Sequence, residues 1–275
     1  MKTIGFVDYY LGEWHANNYP EMIKTANEKL KTDYVVKYAW AEIDVSPANG
    51  VTTDEWCKQY NVEKVDTLEE LCEKSDVILV LAPSNPEKHL EYAKTVLKYS
   101  KRTYIDKTFA PDLKEAKEIY ALSEKYNAPF FTTSALRYAS ELQEIEEVDN
   151  AIITGGGSNF NEYVIHTVEM AVVLFKEKFK KVKVEKYGIQ RIAQLITESG
   201  KKASIVFSPG MGFSVYTDKC AKNCASDFFG TLMLEILKFY ESGVLPFDKE
   251  ETLSAMALRE ALLKAEANDG QWITL

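Results

Sequence analysis

Short apolar runs alternate with amphipathic stretches along the first half of the chain. Lys2–Val7, Tyr34–Trp40 and Asp76–Leu81 are rich in β-branched and aromatic residues, which favours strands. The last run is continuously apolar after its Asp, as is typical of a parallel strand buried on both faces. Two further strands are predicted at 103–106 and 130–133, and helices at 19–31, 53–60, 67–74, 86–100 and 112–126. Strand–helix alternation of this kind predicts an α/β, doubly wound parallel sheet of Rossmann-like type.

The loops that follow the strands are the places to look for a site. Right-handed crossovers place them along one edge of the sheet, and ligands of such sheets bind at this carboxyl edge. The loops concerned are Asp8–Gly12, Ala41–Asp44, Ala82–Asn85 and Lys107–Ala110.

The second half has a different pattern. Strand-like runs at 151–154, 181–187, 190–196, 203–207, 213–217 and 271–275 are separated by turn signals such as Pro209-Gly210. Helices are predicted at 161–175, 229–241 and 250–267. This order indicates an α+β domain with a mostly antiparallel sheet. We expect two domains, 1–135 and 136–275, with a boundary near Ser134–Ser140.

Composition narrows the function classes. The 275 residues carry 33 basic and 42 acidic side chains and a formal charge of −9, so nucleic acid and anionic membranes are unexpected partners. Four cysteines and three histidines form no zinc or disulfide framework, so no metal is expected. The N-terminus lacks a signal-peptide pattern, and no apolar run is long enough for a membrane span. We therefore expect a soluble, cytoplasmic protein.

A series of motifs in the middle of the chain is more specific. Ala82-Pro83-Ser84-Asn85, then His89, then Asp106-Lys107-Thr108 follow in order, and Glu162, His166 and Glu169 recur later on one predicted helix. This resembles the Gfo/Idh/MocA family of nicotinamide-dependent oxidoreductases, with its Thr-Pro-Asn turn, Glu-Lys-Pro segment and Asp-x-x-x-His helix. Here the lysine is retained, the acid before it is shortened, and the proline is lost. The glycine loop is degenerate, and the second domain is shorter than is common in the family.

The resemblance implies an enzyme that transfers a hydride between NAD or NADP and a CH–OH group of a sugar- or polyol-like substrate. It also implies a homo-oligomer, a dimer or a tetramer. The implied catalytic residues are Lys107, His166 and Glu162. The implied cofactor-binding residues are Asp8, Tyr9, Tyr10, Leu11, Gly12, Trp40, Ala82, Pro83, Ser84, Asn85, His89, Asp106 and Lys107. The implied substrate-binding residues are Arg137, Tyr138 and Tyr163.

Elementary chemistry gives these residue types a reason. A histidine is a suitable proton acceptor near neutral pH, and an ammonium beside the reacting oxygen stabilises alkoxide character. Structural alternatives stay open for several of them. His166 could be a core histidine, Glu162 a first-turn acid, and Arg137 an ion-pair residue. We expect His15 to start a helix, His89 to be structural, and 155–157 to form a flexible loop.

The loop after the first strand departs from a dinucleotide site. Asp8 and Tyr10 stand where the family has glycine, and only Gly12 is in a suitable place. A side chain blocks close approach of a pyrophosphate, and a carboxylate repels it. We therefore expect NAD or NADP to bind weakly or in a displaced position. Two rivals remain: a binding or regulatory protein on the same fold, and a redox-neutral enzyme with a tightly held NAD.

Overall fold

The computed structural model describes residues 1–275 and divides them into two compact units. Unit 1 comprises Met1–Thr133 and Gly230–Asp248, and unit 2 comprises Ser134–Phe229 and Lys249–Leu275. The chain therefore passes from unit 2 back into unit 1 at residue 230 and leaves it again after residue 248. The predicted continuous division at 135/136 does not include this return.

Unit 1 contains a six-stranded, fully parallel sheet. Its strands are Lys2–Asp8 (β1), Tyr34–Ala41 (β2), Glu63–Lys64 (β3), Val77–Val80 (β4), Thr103–Ile105 (β5) and Phe130–Phe131 (β6). Their spatial order, β3-β2-β1-β4-β5-β6, is that of a dinucleotide-binding Rossmann sheet, and every neighbouring pair is parallel. The predicted doubly wound sheet is confirmed.

Five helices connect these strands: Trp14–Leu30 (α1), Thr53–Tyr60 (α2), Leu68–Lys74 (α3), His89–Val96 (α4) and Leu113–Tyr126 (α5). Their starts follow the sequence signals. Thr52 caps α2 in a reciprocal capping box with Glu55, Thr67 caps α3, and Asp112 caps α5. Pro86 begins a 3₁₀ turn before α4, so the predicted helix 86–100 is three shorter pieces. These caps fix where each strand-to-helix loop at the carboxyl edge ends.

Unit 2 contains a seven-stranded mixed sheet. Its strands are Asn150–Gly155 (β7), Phe179–Tyr187 (β8), Gln190–Thr197 (β9), Lys202–Phe207 (β10), Ser214–Thr217 (β11), Ala221–Asn223 (β12) and Trp272–Thr274 (β13). The order is β12-β11-β7-β10-β9-β8-β13, and only the β7–β10 pair is parallel. The predicted mostly antiparallel sheet is confirmed.

The remaining helices are Ser140–Gln143 (α6), Phe160–Phe175 (α7), Phe228–Ser242 (α8) and Lys249–Ala267 (α9). Apolar residues of α7 and α9 bury the inner face of the mixed sheet, in one cluster that includes Val168, Ile205 and Leu258. None of the helices is long and apolar enough to cross a membrane.

Candidate functional site

The side chain of Asp8 is buried beneath the first loop at the carboxyl edge. Its side chain is 1% exposed, and Oδ1 accepts hydrogen bonds from the backbone N–H groups of Tyr9 (2.7 Å) and Ala82 (3.0 Å). Oδ2 has no partner. Burial first, and the nearby negative charge of Glu13 second, raise the pKa of Asp8 well above its ordinary value although backbone N–H groups lower it. The loop thus holds a carboxyl group in an environment that disfavours its charge.

Glu13 caps α1 with both carboxylate oxygens. Oε2 accepts from the backbone N–H of His15 at 2.7 Å, and Oε1 accepts from that of Ala16. The first N–H groups of a helix have no partner within the helix and attract anions. Here an acidic side chain of the same chain satisfies two of them.

His15 lies between two carboxylates. Its Nδ1 bonds Glu13 Oε2 at 3.0 Å, and its Nε2 lies 3.7 Å from Asp106 Oδ2. The ring also meets Tyr19 edge-on, with centroids 5.2 Å apart. The sequence placed His15 correctly at a helix start and missed its contact with Asp106. Only the fold brings residue 106 beside residue 15, because β5 is far from β1 in the sequence.

Asp106 and Lys107 follow β5 at the same edge. Asp106 is buried, and its Oδ1 accepts from the backbone N–H of Lys107 at 2.8 Å. Lys107 is only 9% exposed, and its ammonium makes no hydrogen bond or ion pair with this chain. An ammonium held this way, largely out of water and without a protein partner, is suited to bind a ligand oxygen.

His89 fixes two of the edge loops to each other. It is fully buried, and its ring nitrogens lie 2.7 Å from the carbonyl oxygen of Leu81 and 2.9 Å from that of Phe109. Burial lowers the pKa of His89, and the two carbonyl groups partly offset this. The expected structural role therefore has a specific form: His89 positions the loops that carry Ala82–Asn85 and Lys107.

Glu42 occupies the end of β2, where a Rossmann sheet carries its ribose-binding acid. The resemblance implied Trp40 at this position. The structure turns the Trp40 ring edge-on to Tyr92, at 5.7 Å between centroids. Glu42 instead accepts from the Tyr92 hydroxyl at 2.8 Å and pairs with Lys88 at 2.5 Å. The carboxylate is two positions further along the chain than the end of the predicted strand.

His166 and its neighbours form a separate group in unit 2. His166 Nδ1 lies 2.7 Å from Ser134 Oγ, and its ring packs against those of Tyr163 and Phe213. Asn159 caps α7, and Glu162 accepts from the Asn159 side chain at 3.2 Å. His166 and Glu162 are both half-buried. The imidazole ring of His166 and the carboxylate of Glu162 are therefore both partly accessible to a ligand.

Arg137 is engaged within unit 2. Its guanidinium donates to Glu169 Oε2 at 3.0 Å and to Glu251 Oε2 at 2.7 Å, and the side chain is buried. These contacts favour the ion-pair alternative over direct substrate binding. Tyr138, next to it, is half-buried.

The glycines at 155–157 serve close packing. A Cβ at Gly155 would meet the Thr167 side chain, one at Gly156 the Ser208 carbonyl, and one at Gly157 the Tyr163 ring, all within 2.5 Å. Gly155 also ends β7. The expected flexible loop is therefore a packed strand end against which Tyr163 lies.

Other reactive side chains do not form a centre. No group of three or more His, Cys, Asp or Glu is placed to hold a metal ion. The four cysteines are free, and burial raises the pKa of the Cys57 thiol to about 11 and of Cys72 to about 12.

The edge of unit 1 does not fit a dinucleotide pyrophosphate as it stands. The Glu13 carboxylate holds N–H groups of α1, and Asp8 holds that of Ala82. The ends of β1 and β2 are joined by backbone hydrogen bonds from Glu42 N to Asp8 O (3.1 Å) and from Ile43 N to Tyr9 O (3.0 Å). Asn49 Nδ2 also donates to Gly12 O at 2.8 Å. By contrast, Lys107 keeps an unpaired ammonium.

Comparison with known proteins agrees with the fold. Residues 43–134 match the model of an oxidoreductase family with an NAD-binding Rossmann fold, Gfo/Idh/MocA. The match begins after the β1–α1 loop, so the two carboxylates at Asp8 and Glu13 lie outside it. The uncharacterized oxidoreductase YhhX of Escherichia coli is 30% identical over 95 residues, which are 30% of this chain and 28% of that protein's length.

Solved structures match nearly the whole chain at low identity. A myo-inositol dehydrogenase from Lactobacillus casei, in complex with NAD(H) and myo-inositol, gives a TM-score of 0.79 at 10% identity and covers 100% of this chain and 96% of its own. The scyllo-inositol dehydrogenase of the same organism, with NAD(H) and scyllo-inositol, gives a TM-score of 0.72 at 14% identity and covers 99% of this chain and 98% of its own. A dehydrogenase from Clostridium difficile gives a TM-score of 0.75 at 16% identity and covers 96% of this chain and 99% of its own. At these identities the likeness establishes the shared fold.

Proposed function

We propose that this chain is a member of the Gfo/Idh/MocA oxidoreductases, whose family model residues 43–134 match, and that it is a nicotinamide-dependent oxidoreductase acting on a sugar- or polyol-like substrate. The observation that carries the proposal is the Lys107 side chain, which is only 9% exposed at the carboxyl end of β5 and whose ammonium has no protein partner. The family of the matched segment binds NAD, and similarly folded proteins were crystallised with NAD(H) and an inositol.

The proposed roles follow from the chemistry of each side chain. Lys107 binds the substrate oxygen and stabilises its developing negative charge. His166 accepts the hydroxyl proton, and Ser134, bonded to Nδ1, fixes the orientation of its ring. Glu162 and the half-buried Tyr138 and Tyr163 supply hydrogen-bonding groups that a polyol can use. Arg137 is assigned a positioning role because two carboxylates already hold it.

We also propose a homo-oligomer formed through the outer face of the seven-stranded sheet. Trp272, Ile152 and Tyr216 lie in one cross-strand row of that face, and each is more than 40% exposed. Large exposed apolar side chains in a row are typical of an interface. Four free thiols suit a reducing, cytoplasmic setting. Light scattering during gel filtration tests the oligomer directly.

The decisive test is cofactor titration followed by turnover. Binding of NADH or NADPH is measured by calorimetry, and oxidation of inositols and other polyols by absorbance of the reduced cofactor. Saturable binding with polyol-dependent reduction supports the proposal.

A second candidate is a sugar-binding or regulatory protein on the same fold. The two carboxylates at the first loop favour it, because they fill the position of a pyrophosphate. Polyol binding without any binding of NADH or NADPH would move the assignment to this candidate.

A further inference from the structure

The N-terminus of α1 is already occupied by an anion that belongs to the protein. Both oxygens of the Glu13 carboxylate accept backbone N–H groups, from His15 and Ala16, and the side chain is largely buried. In Rossmann sheets, the N-terminus of the first helix is where the pyrophosphate of a dinucleotide binds. The carboxylate thus has the charge, the two acceptor atoms and the position of a bound phosphate.

A second observation shows that this arrangement is crowded with negative charge. Asp8 Oδ2 is buried without a partner, and Glu13 acts on Asp8 as a nearby like charge. Asp106 Oδ2 is likewise buried and without a hydrogen bond, 3.7 Å from His15 Nε2. His15 is thus the only cationic or potentially cationic side chain in direct contact with Glu13. A pyrophosphate cannot join these three carboxylates while Glu13 stays in place.

Glu13 is held only by local contacts. Its hold consists of two backbone hydrogen bonds and one contact to His15, all made by its own side chain within three residues of its own backbone. No other element of unit 1 donates to it. Rotation of the side chain towards solvent would expose the N–H groups of His15 and Ala16 and remove one of the charges that oppose a phosphate.

We infer that Glu13 is an internal competitor of the cofactor pyrophosphate, so that a dinucleotide binds only when the Glu13 side chain leaves the N-terminus of α1. The inference rests on the proposed function, since it presumes that a nicotinamide dinucleotide is the ligand. It makes Glu13 the residue that sets cofactor affinity. It also accounts for a Rossmann fold whose first loop, in its resting state, has no room for a pyrophosphate.

The test compares charge removal at two positions of one helix. Glu13→Gln replaces two acceptor oxygens by one and removes the charge, and Glu13→Gly leaves the helix N-terminus open with little loss of capping. Glu21→Gln removes one charge from the exposed side of α1 and is the matched control. NADH binding is measured by calorimetry for the native protein and all three variants, and circular dichroism checks that each is folded. Nicotinamide riboside, which carries no phosphate, is the second probe.

We expect Glu13→Gln and Glu13→Gly to bind NADH roughly ten-fold tighter or more, the size of one lost capping interaction. Glu21→Gln should bind NADH like the native protein, and nicotinamide riboside should show no difference among the four. Equal NADH affinity in all four proteins would overturn the inference and leave the proposed function standing. Absence of NADH and NADPH binding in all four would refute the proposed function, and the inference with it.

Discussion

At the scale of single residues, Lys107 is the side chain on which the proposed chemistry depends most. Replacing it by Ala removes the cation that faces the substrate oxygen, so kcat should fall by about 10²–10³, as for loss of an oxyanion donor. Steady-state kinetics with the best polyol substrate measures this. Lys117→Ala, on the surface of α5, is the control. Turnover near the native value in the Lys107→Ala protein would leave Lys107 without a catalytic role.

His166 should act as the proton acceptor. His166→Asn keeps a hydrogen bond to Ser134 within reach and removes the base, so the rate should fall about 100-fold or more. The rise of the oxidation rate with pH that a histidine base produces should disappear. The pH–rate profiles of the two proteins are compared directly. A profile of unchanged shape in the variant would assign the base elsewhere, with Tyr138 and Tyr163 the next candidates.

Asp8 makes stability depend on pH. Its pKa in the folded protein lies above the ordinary 3.8, so the unfolded chain loses this proton first as the pH rises. The charged form is disfavoured in the folded state, and stability therefore decreases as the pH rises above about 4, until Asp8 is ionised in both states. Asp8→Asn cannot ionise and should raise the free energy of unfolding at pH 7 by about 1–3 kcal/mol, since a difference of one in the pKa corresponds to about 1.4 kcal/mol.

Urea unfolding at pH 4 and pH 7 checks this expectation. The increase in the free energy of unfolding that Asp8→Asn causes should be present at pH 7 and small at pH 4. Asp33→Asn, at an exposed carboxylate whose pKa is lowered by the N-terminal amine, should show no such gain. A native protein as stable as Asp8→Asn at pH 7 would show that the buried carboxyl group carries no charge penalty there.

At the scale of elements, His89 joins two loops that the sequence leaves far apart. Its ring bonds carbonyl groups at residues 81 and 109, one from each loop. His89→Phe keeps an aromatic ring and removes the ring N–H, which in the neutral imidazole donates to one of the two buried carbonyl groups, so the free energy of unfolding should fall by about 1–3 kcal/mol. Hydrogen exchange at 82–85 and 107–110 should become faster, and His89→Gln, which keeps a donor, should lose less. Native-like exchange in the His89→Phe protein would contradict the role.

The sequence predicted elements well where one local signal decides them. The continuous apolar run of β4 and the period of α5 each carry such a signal. The two-residue strand β3 and the short β12 were missed because neither is long enough to show a period. The capping role of Glu13 was also missed, since glutamate is not a preferred N-cap residue and nothing in the sequence marks it.

The site was predictable in part for the same reason. The order of the motifs predicted a site role for Lys107 and His89. In the structure Lys107 lies at the carboxyl edge of the sheet, and His89 contacts the loops of that edge. The contact between His15 and Asp106 depends on the strand order β1-β4-β5, which brings sequence-distant residues together. Arg137 could not be assigned from sequence, because its two partners lie 32 and 114 residues away.

At the scale of the whole molecule, the sequence identified both sheets and missed the return of the chain to unit 1. The amphipathic pattern of α8 is the same whichever sheet it covers, so periodicity cannot assign it. Specific contacts do: the Tyr240 hydroxyl donates to the carbonyl oxygen of Ile78 in β4 at 2.7 Å, and Arg102 donates to Glu241 O at 2.9 Å at the end of α8. Unit 1 is therefore complete only when residues 230–248 are in place.

Tyr240 allows this return to be tested by pH as well as by mutation. Tyr240→Phe removes one buried hydrogen bond and should lower the free energy of unfolding at pH 7 by about 1–3 kcal/mol. Burial raises the pKa of Tyr240 well above 10.0, so the unfolded chain ionises first and the native protein loses stability as the pH rises above about 10. Phe cannot ionise, and the deficit of the variant should therefore shrink between pH 10 and pH 11. Tyr216→Phe, at an exposed position, should match the native protein throughout, and a Tyr240→Phe deficit that stays constant across this pH range would show that the hydroxyl is not held in a buried site.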